Sequence, residues 1–63
     1  MPIIQIEMFK GRTVEQKREM VKEITEVVCR TAKCPKDAVR IIIREMDFEN
    51  FGISGQLRCD IQD

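Results

Sequence analysis

Two short runs of β-branched residues, with one amphipathic helix between them, occupy most of this 63-residue chain and leave little room for any other element. Residues 2–9 alternate. Ile4, Ile6 and Met8 share one parity, while Gln5 and Glu7 share the other with Ile3 and Phe9. That period of two marks a strand with one apolar face and one mixed face, with Pro2 at its start. Lys10, Gly11 and Arg12 form a turn, and Thr13 followed three residues on by Gln16 has the capping-box spacing that starts a helix. Met20, Val21, Ile24, Val27, Val28 and Thr31 then recur at three- and four-residue steps, giving one apolar stripe. Glu15, Arg18, Glu19, Lys22, Glu23, Glu26 and Arg30 fill the other side as a solvated face with pairing of the Glu26–Arg30 kind. Pro35 stops the helix a residue or two earlier, and Pro35, Lys36 and Asp37 turn the chain. In the second run, residues 39–46, Val39, Ile41 and Ile43 face one way and Arg40, Ile42 and Arg44 the other. Strand, helix of about 18 residues and strand make one β-α-β unit with parallel strands and a right-handed crossover. The glycine-punctuated segment 50–55 adds a small C-terminal hairpin, and the tail to Asp63 is short and polar. The expected fold class is α+β, in a single domain spanning residues 1–63.

One helix covers only one face of a two-stranded sheet. The opposite face still offers Ile3, Phe9 and Ile42, and both strand edges are unpaired. Size sharpens the problem. A 7.4 kDa chain buries about 6,500 Å² on folding. With somewhat over half of that apolar, the gain is on the order of 95 kcal/mol at about 25 cal/mol/Å². Ordering the residues at about 1.5 kcal/mol each costs about the same. A chain so balanced needs disulfides, a metal or partner subunits, and an obligate oligomer is the expectation.

The composition narrows the function classes. Eleven basic residues balance eleven acidic ones, which removes the electrostatic term behind most nucleic-acid binding. No apolar run approaches the roughly 20 residues that span a bilayer. The first ten residues lack the charged-then-apolar order of a signal peptide, since their lysine comes last. With no histidine and no CxxC pair, no metal site is expected. Three cysteines, Cys29, Cys34 and Cys59, are too few and too irregular for a secreted disulfide framework. A cytoplasmic protein without a nucleic-acid or membrane partner is the reading that follows.

Few groups are left to carry chemistry. Cys29 sits beside Val27 and Val28 as a small buried hydrophobe, and without a histidine nothing activates Cys34 or Cys59. Pro2 is different. Initiator methionine is removed when the next residue is small, and the chain then begins with a secondary amine. An ordinary α-amino group titrates near pH 8; desolvation and nearby cations favour its neutral form and bring it toward the operating range of a general base. The plainer reading is a proline tolerated at a strand's first position. Arg40 points away from the core that the helix covers, and Arg12 lies in the turn after the first strand. Guanidinium groups hold carboxylates bidentately and would depress the pKa of an amine close by; as single residues both are more often surface charges.

Pro2-Ile3 opening a strand, Gly11-Arg12, Glu15-Gln16-Lys17, Val39-Arg40 and the turn Asn50-Phe51-Gly52-Ile53 ending in Gly55 together resemble the 4-oxalocrotonate tautomerase family over nearly the whole chain. The resemblance implies a β-α-β fold with a C-terminal hairpin, assembled as a hexamer (a trimer of dimers). It implies Pro2 as the general base that moves a proton between oxygen and carbon of an enol. It implies Arg40 as the binder of a substrate carboxylate and its adjacent oxygen, and Arg12 as the binder of the distal carboxylate, delivered from a neighbouring subunit. Phe51 takes the position of the aromatic residue that walls the pocket and keeps the amine dry, and Phe9 stands beside the pocket as a bulkier residue than the usual aliphatic. Glu7 stands where a histidine is common and is expected to face away from the site. Ser54 replaces a frequent glycine.

The implied reaction is cofactor-independent isomerisation of a small dicarboxylate or 2-oxo/2-hydroxy acid, of the 2-hydroxymuconate to 2-oxo-3-hexenedioate type that belongs to aromatic degradation. Two other readings stand beside it. One is a non-catalytic oligomeric scaffold of the same fold. The other is a sibling proline-dependent hydratase or dehalogenase, which needs a carboxylate to activate water that residues 50–55 do not supply.

Overall fold

Ile3–Phe9 (β1) and Arg40–Met46 (β2) pair in parallel, Ile3 with Arg40 through Phe9 with Met46, in a computed structural model that describes residues 1–62. The helix between them, Val14–Ala32 (α1), is the crossover. A second, antiparallel pair, Gly52–Ile53 (β3) and Gln56–Leu57 (β4), forms the C-terminal hairpin. Each strand begins one residue later than its pattern suggests. Pro2 and Val39 lie just outside, although the Arg40 N–H already donates to the Pro2 carbonyl at 3.0 Å.

The helix starts where its sequence says it should. The Thr13 side chain accepts from the Gln16 N–H, and the Gln16 side chain accepts from the Thr13 N–H at 2.8 Å, so two backbone donors are satisfied reciprocally. Thr13→Ala removes one of these bonds. It is expected to cost about 1 kcal/mol of stability, read from urea unfolding at fixed protomer concentration. The helix ends with Lys33 in the left-handed region at φ 59°, two residues before Pro35. The following turn is a 3₁₀ segment, Lys36–Ala38. The hairpin loop is Ser54-Gly55, both at positive φ (53° and 82°), the two-residue geometry whose twist matches antiparallel strands.

The alternation along both strands is realised. Ile4, Ile6, Met8, Ile41 and Ile43 are half-buried on one face of the sheet, and Met20, Val21, Ile24 and Val28 are half-buried along one stripe of the helix. Lys17 and Glu45 tie the two layers together at 2.7 Å. On the helix's outer face the ion pair is between Glu15 and Arg18, and Val27 belongs more to the surface than to the stripe. The tail is less idle than its polarity suggests, with a 3₁₀ turn at Arg58–Asp60 and a half-buried Ile61.

The protomer has no interior of its own. Among the described residues none is fully buried. The surface is 5056 Å², against about 4,200 Å² for a folded monomer of this mass. The radius of gyration is 15.1 Å, where about 11 Å suits a compact chain of this length. Ile3 is 61% exposed and Ile42 39%, both on the face that the helix does not reach. An apolar groove of about 400 Å³ runs along the helix between Val14, Lys17, Arg18, Val21 and Lys22. Surfaces of this kind, on a chain this small, are completed by other subunits.

Candidate functional site

The parallel crossover joins residues that lie far apart in sequence. Because Ile3 pairs with Arg40, Pro2 and the head of β2 meet at one end of the sheet, tied by the Arg40-to-Pro2 backbone hydrogen bond. Arg40 lies on the uncovered face, and its Nη1 donates to the carbonyls of Asp37 (2.6 Å) and Val39 (3.3 Å). Both contacts fall on one nitrogen. Among the described residues nothing engages Nε or Nη2, the edge that would take a carboxylate bidentately. Pro2 is half-buried, whereas Met1 is 80% exposed, so loss of Met1 disturbs no packing. While Met1 is attached the Pro2 nitrogen is an amide without basicity.

The other expected site residues gather at the opposite end. Arg12 lies in the turn after β1, exposed, and among the described residues no hydrogen bond or ion pair holds its side chain. Phe9 ends β1 and packs edge-to-face against Phe51 (centroids 5.3 Å apart, 85°) and against Phe48 (4.6 Å, 73°). Phe48 is a residue that sequence reasoning passed over. Its neighbour Arg58 stacks over its ring at 4.8 Å, and the Arg58 N–H donates to the Phe51 carbonyl at 2.7 Å. Together these contacts fold the C-terminal hairpin back onto the end of β1. Glu7, Met8, Phe9, Met46 and Phe51 line a cavity of about 240 Å³ there.

Within one protomer, then, the expected site residues fall in two groups. Pro2 and Phe9 are separated by about 23 Å of extended chain at roughly 3.3 Å per residue, far beyond the reach of a side chain. Arg12 and Phe51 therefore do not sit beside the Pro2 and Arg40 of their own chain. Glu7 also differs from expectation. In the parallel register it stands opposite Arg44, on the same uncovered face as Arg40, and is engaged by Arg44 at 3.1 Å. Its parity with Ile3 and Phe9 along β1 already assigns Glu7 to the uncovered face; only its pairing with Arg44 depends on the register between the strands.

Cys29 and Cys59 are not activated for catalysis at neutral pH. Burial, and then the neighbouring Cys34, push the Cys29 thiol above its ordinary pKa. Burial and the Asp60 carboxylate do the same to Cys59. Both effects favour the unreactive thiol at neutral pH.

Residues 2–58 match the sequence model of the tautomerase enzymes. Over 61 residues the chain is 39% identical to a probable tautomerase of Listeria monocytogenes, covering 97% of this chain and all of that one. Its structure superposes on a 4-oxalocrotonate tautomerase isozyme of Methylibium petroleiphilum with a TM-score of 0.87 and 50% identity, over 92% of this chain and 91% of the other. A heterohexameric 4-oxalocrotonate tautomerase from Chloroflexus aurantiacus gives a TM-score of 0.89 at 26% identity, over 98% of this chain and all of that one. The chain belongs to the tautomerase family.

Proposed function

We propose that this chain, with Met1 removed, is the single-domain protomer of a cofactor-independent keto–enol tautomerase, active as a homo-oligomer with hexameric, trimer-of-dimers assembly. The observation that carries this reading is the backbone bond from the Arg40 N–H to the Pro2 carbonyl, which brings the residue proposed to bind a carboxylate to the same end of the sheet as the residue whose nitrogen becomes the chain's free amine. The two-halved site supports assembly as part of catalysis: Arg12 and Phe51 complete the Pro2 pocket only when supplied by another subunit.

The substrate class is a 2-hydroxydienoate with two carboxylates, such as 2-hydroxymuconate. Arg40 holds the C1 carboxylate and the 2-oxygen, and Arg12 of a neighbouring subunit holds the far carboxylate. The neutral Pro2 amine takes the 2-hydroxyl proton. The O–H electrons become the carbonyl, the diene bonds shift, and the proton is delivered to carbon to give the conjugated 2-oxo-enoate. Negative charge that builds on the 2-oxygen is met by the guanidinium in a site that Phe51 shields from water. A dehalogenase or hydratase reading needs a water-activating carboxylate, and Glu7, the carboxylate nearest the uncovered face, is occupied by Arg44.

The test is turnover of 2-hydroxymuconate followed by ultraviolet absorbance, comparing the wild type with Arg40→Gln. Losing a charge-assisted bond worth about 1.5–3 kcal/mol lowers kcat/KM by about 10- to 100-fold. Absence of turnover in the Met1-free wild type would overturn the proposal. Halide release from a haloacrylate without dienoate turnover would favour the sibling chemistry.

A further inference from the structure

Cys29 and Cys34 occupy the two positions that the end of α1 brings together. With Lys33 left-handed at φ 59°, its own N–H and that of Cys34 both return to the Cys29 carbonyl, the latter at 3.3 Å. Bond lengths alone then hold the two Cα atoms within about 7 Å of each other. A disulfide bridges Cα atoms about 4.4–6.8 Å apart. Helix ends of this form ordinarily place an apolar contact between these two side chains; here a pair of thiols fills it. Burial, and after it the neighbouring Cys34, raises the Cys29 thiol pKa, and both residues are half-buried with free thiols. Cys59 lies apart from them in the tail, exposed, with its thiol toward Asp60.

We propose that Cys29 and Cys34 are a dithiol site that exchanges with small-molecule disulfides and closes to an intramolecular disulfide. The Cys34 thiolate attacks one sulfur of the oxidant and expels the first small thiol. The Cys29 thiolate then attacks the Cys34 sulfur of the mixed disulfide and expels the second. The chain gives up two protons and two electrons, and the oxidant leaves as two thiols.

Closure bears on the anion-binding residue. Cys34 opens the short segment whose 3₁₀ turn presents the Asp37 carbonyl to the Arg40 guanidinium at 2.6 Å. A covalent link at the head of that segment re-aims the carbonyl and with it Arg40. This consequence rests on the tautomerase reading above; the dithiol site itself does not.

The experiment incubates reduced full-length protein with oxidised glutathione at mildly alkaline pH and reads intact mass and a peptide map. The expected product is a 29–34 linked peptide with a loss of about 2 Da, and a glutathione adduct confined to Cys59. Cys29→Ser and Cys34→Ser each trap an adduct on the remaining partner instead. Adducts on both Cys29 and Cys34 without the internal link, or cross-links through Cys59 alone, overturn the site. In a Cys59→Ser background the oxidised form is expected to raise KM for a carboxylate substrate by about threefold or more with kcat within about twofold, reversed by dithiothreitol and absent in Cys34→Ser. An unmoved KM in the linked protein overturns the connection to Arg40. A wild type that turns over no enol sinks the tautomerase reading, while the peptide map still decides the dithiol.

Discussion

Pro2→Ala is expected to lower kcat by about 10²- to 10⁴-fold, the span a positioned general base contributes, while the oligomer survives. The backbone explains why the two effects separate. The residue at position 2 joins the sheet through its carbonyl, which accepts from Arg40, and alanine keeps that carbonyl. What alanine loses is the rigid secondary amine. Protein in which Met1 is retained should be as inactive as the variant, since its position-2 nitrogen is an amide, and intact mass distinguishes the two preparations. The acid limb of kcat/KM should report the Pro2 amine. The proton must come off that amine for it to act as a base, so activity rises with pH through its pKa. If the Arg40 guanidinium approaches the amine as proposed, that midpoint is expected below the roughly 7.7–8.0 of an ordinary terminus. A midpoint at or above that range, or a Pro2→Ala variant with wild-type turnover, contradicts the general-base role and returns the chain to the scaffold reading. Borohydride trapping of an iminium on Pro2 would expose a nucleophilic role instead.

The second large effect is recovery of activity from two dead parents. Arg12→Ala subunits keep an intact Pro2 and Arg40 end, and Pro2→Ala subunits keep an intact Arg12 and Phe51 end. The two ends of one protomer lie about 23 Å apart along β1, so a site built as proposed would combine ends from different chains. Unfolding the two variants together and refolding them as an equal mixture should restore about a quarter of the wild-type sites in a randomly assembled symmetric oligomer. Refolding each alone should restore none beyond its residual rate. If Arg12 served the Pro2 of its own chain, no mixture would recover, and the separation of the two ends would have no bearing on catalysis. The assay also tests assembly, because a protomer with no buried residue among those described has nothing to hold the second end in place except another subunit.

Most of the local structure was legible in the sequence because it depends on neighbours along the chain. The period of two in residues 2–9 and 39–46, the Thr13–Gln16 cap, Pro35 after the helix and the glycine-bearing hairpin turn each act within a few residues. Each appears in the structure within a residue or two of its expected place. The polarity of the arginine-bearing face followed from the same alternation. Pairing is another matter. That Glu7 stands opposite Arg44 and is taken up by it depends on the register between two strands, which no single-strand count contains. Phe48 joining Phe9 and Phe51 depends on the hairpin folding back over the end of β1, and the proximity of Cys34 to Cys29 on a left-handed lysine.

What the sequence by itself determined is the list of elements and the side of each strand that meets the helix, and it named the residues proposed to carry the chemistry. Only the tertiary structure decided that those residues stand at two ends of an elongated protomer, Pro2 with Arg40 at one and Arg12 with Phe9 and Phe51 at the other. The reason is geometric. A parallel crossover must carry the chain back the length of the sheet before the second strand begins, so residues at opposite ends of β1 never meet within a chain too short to fold over itself.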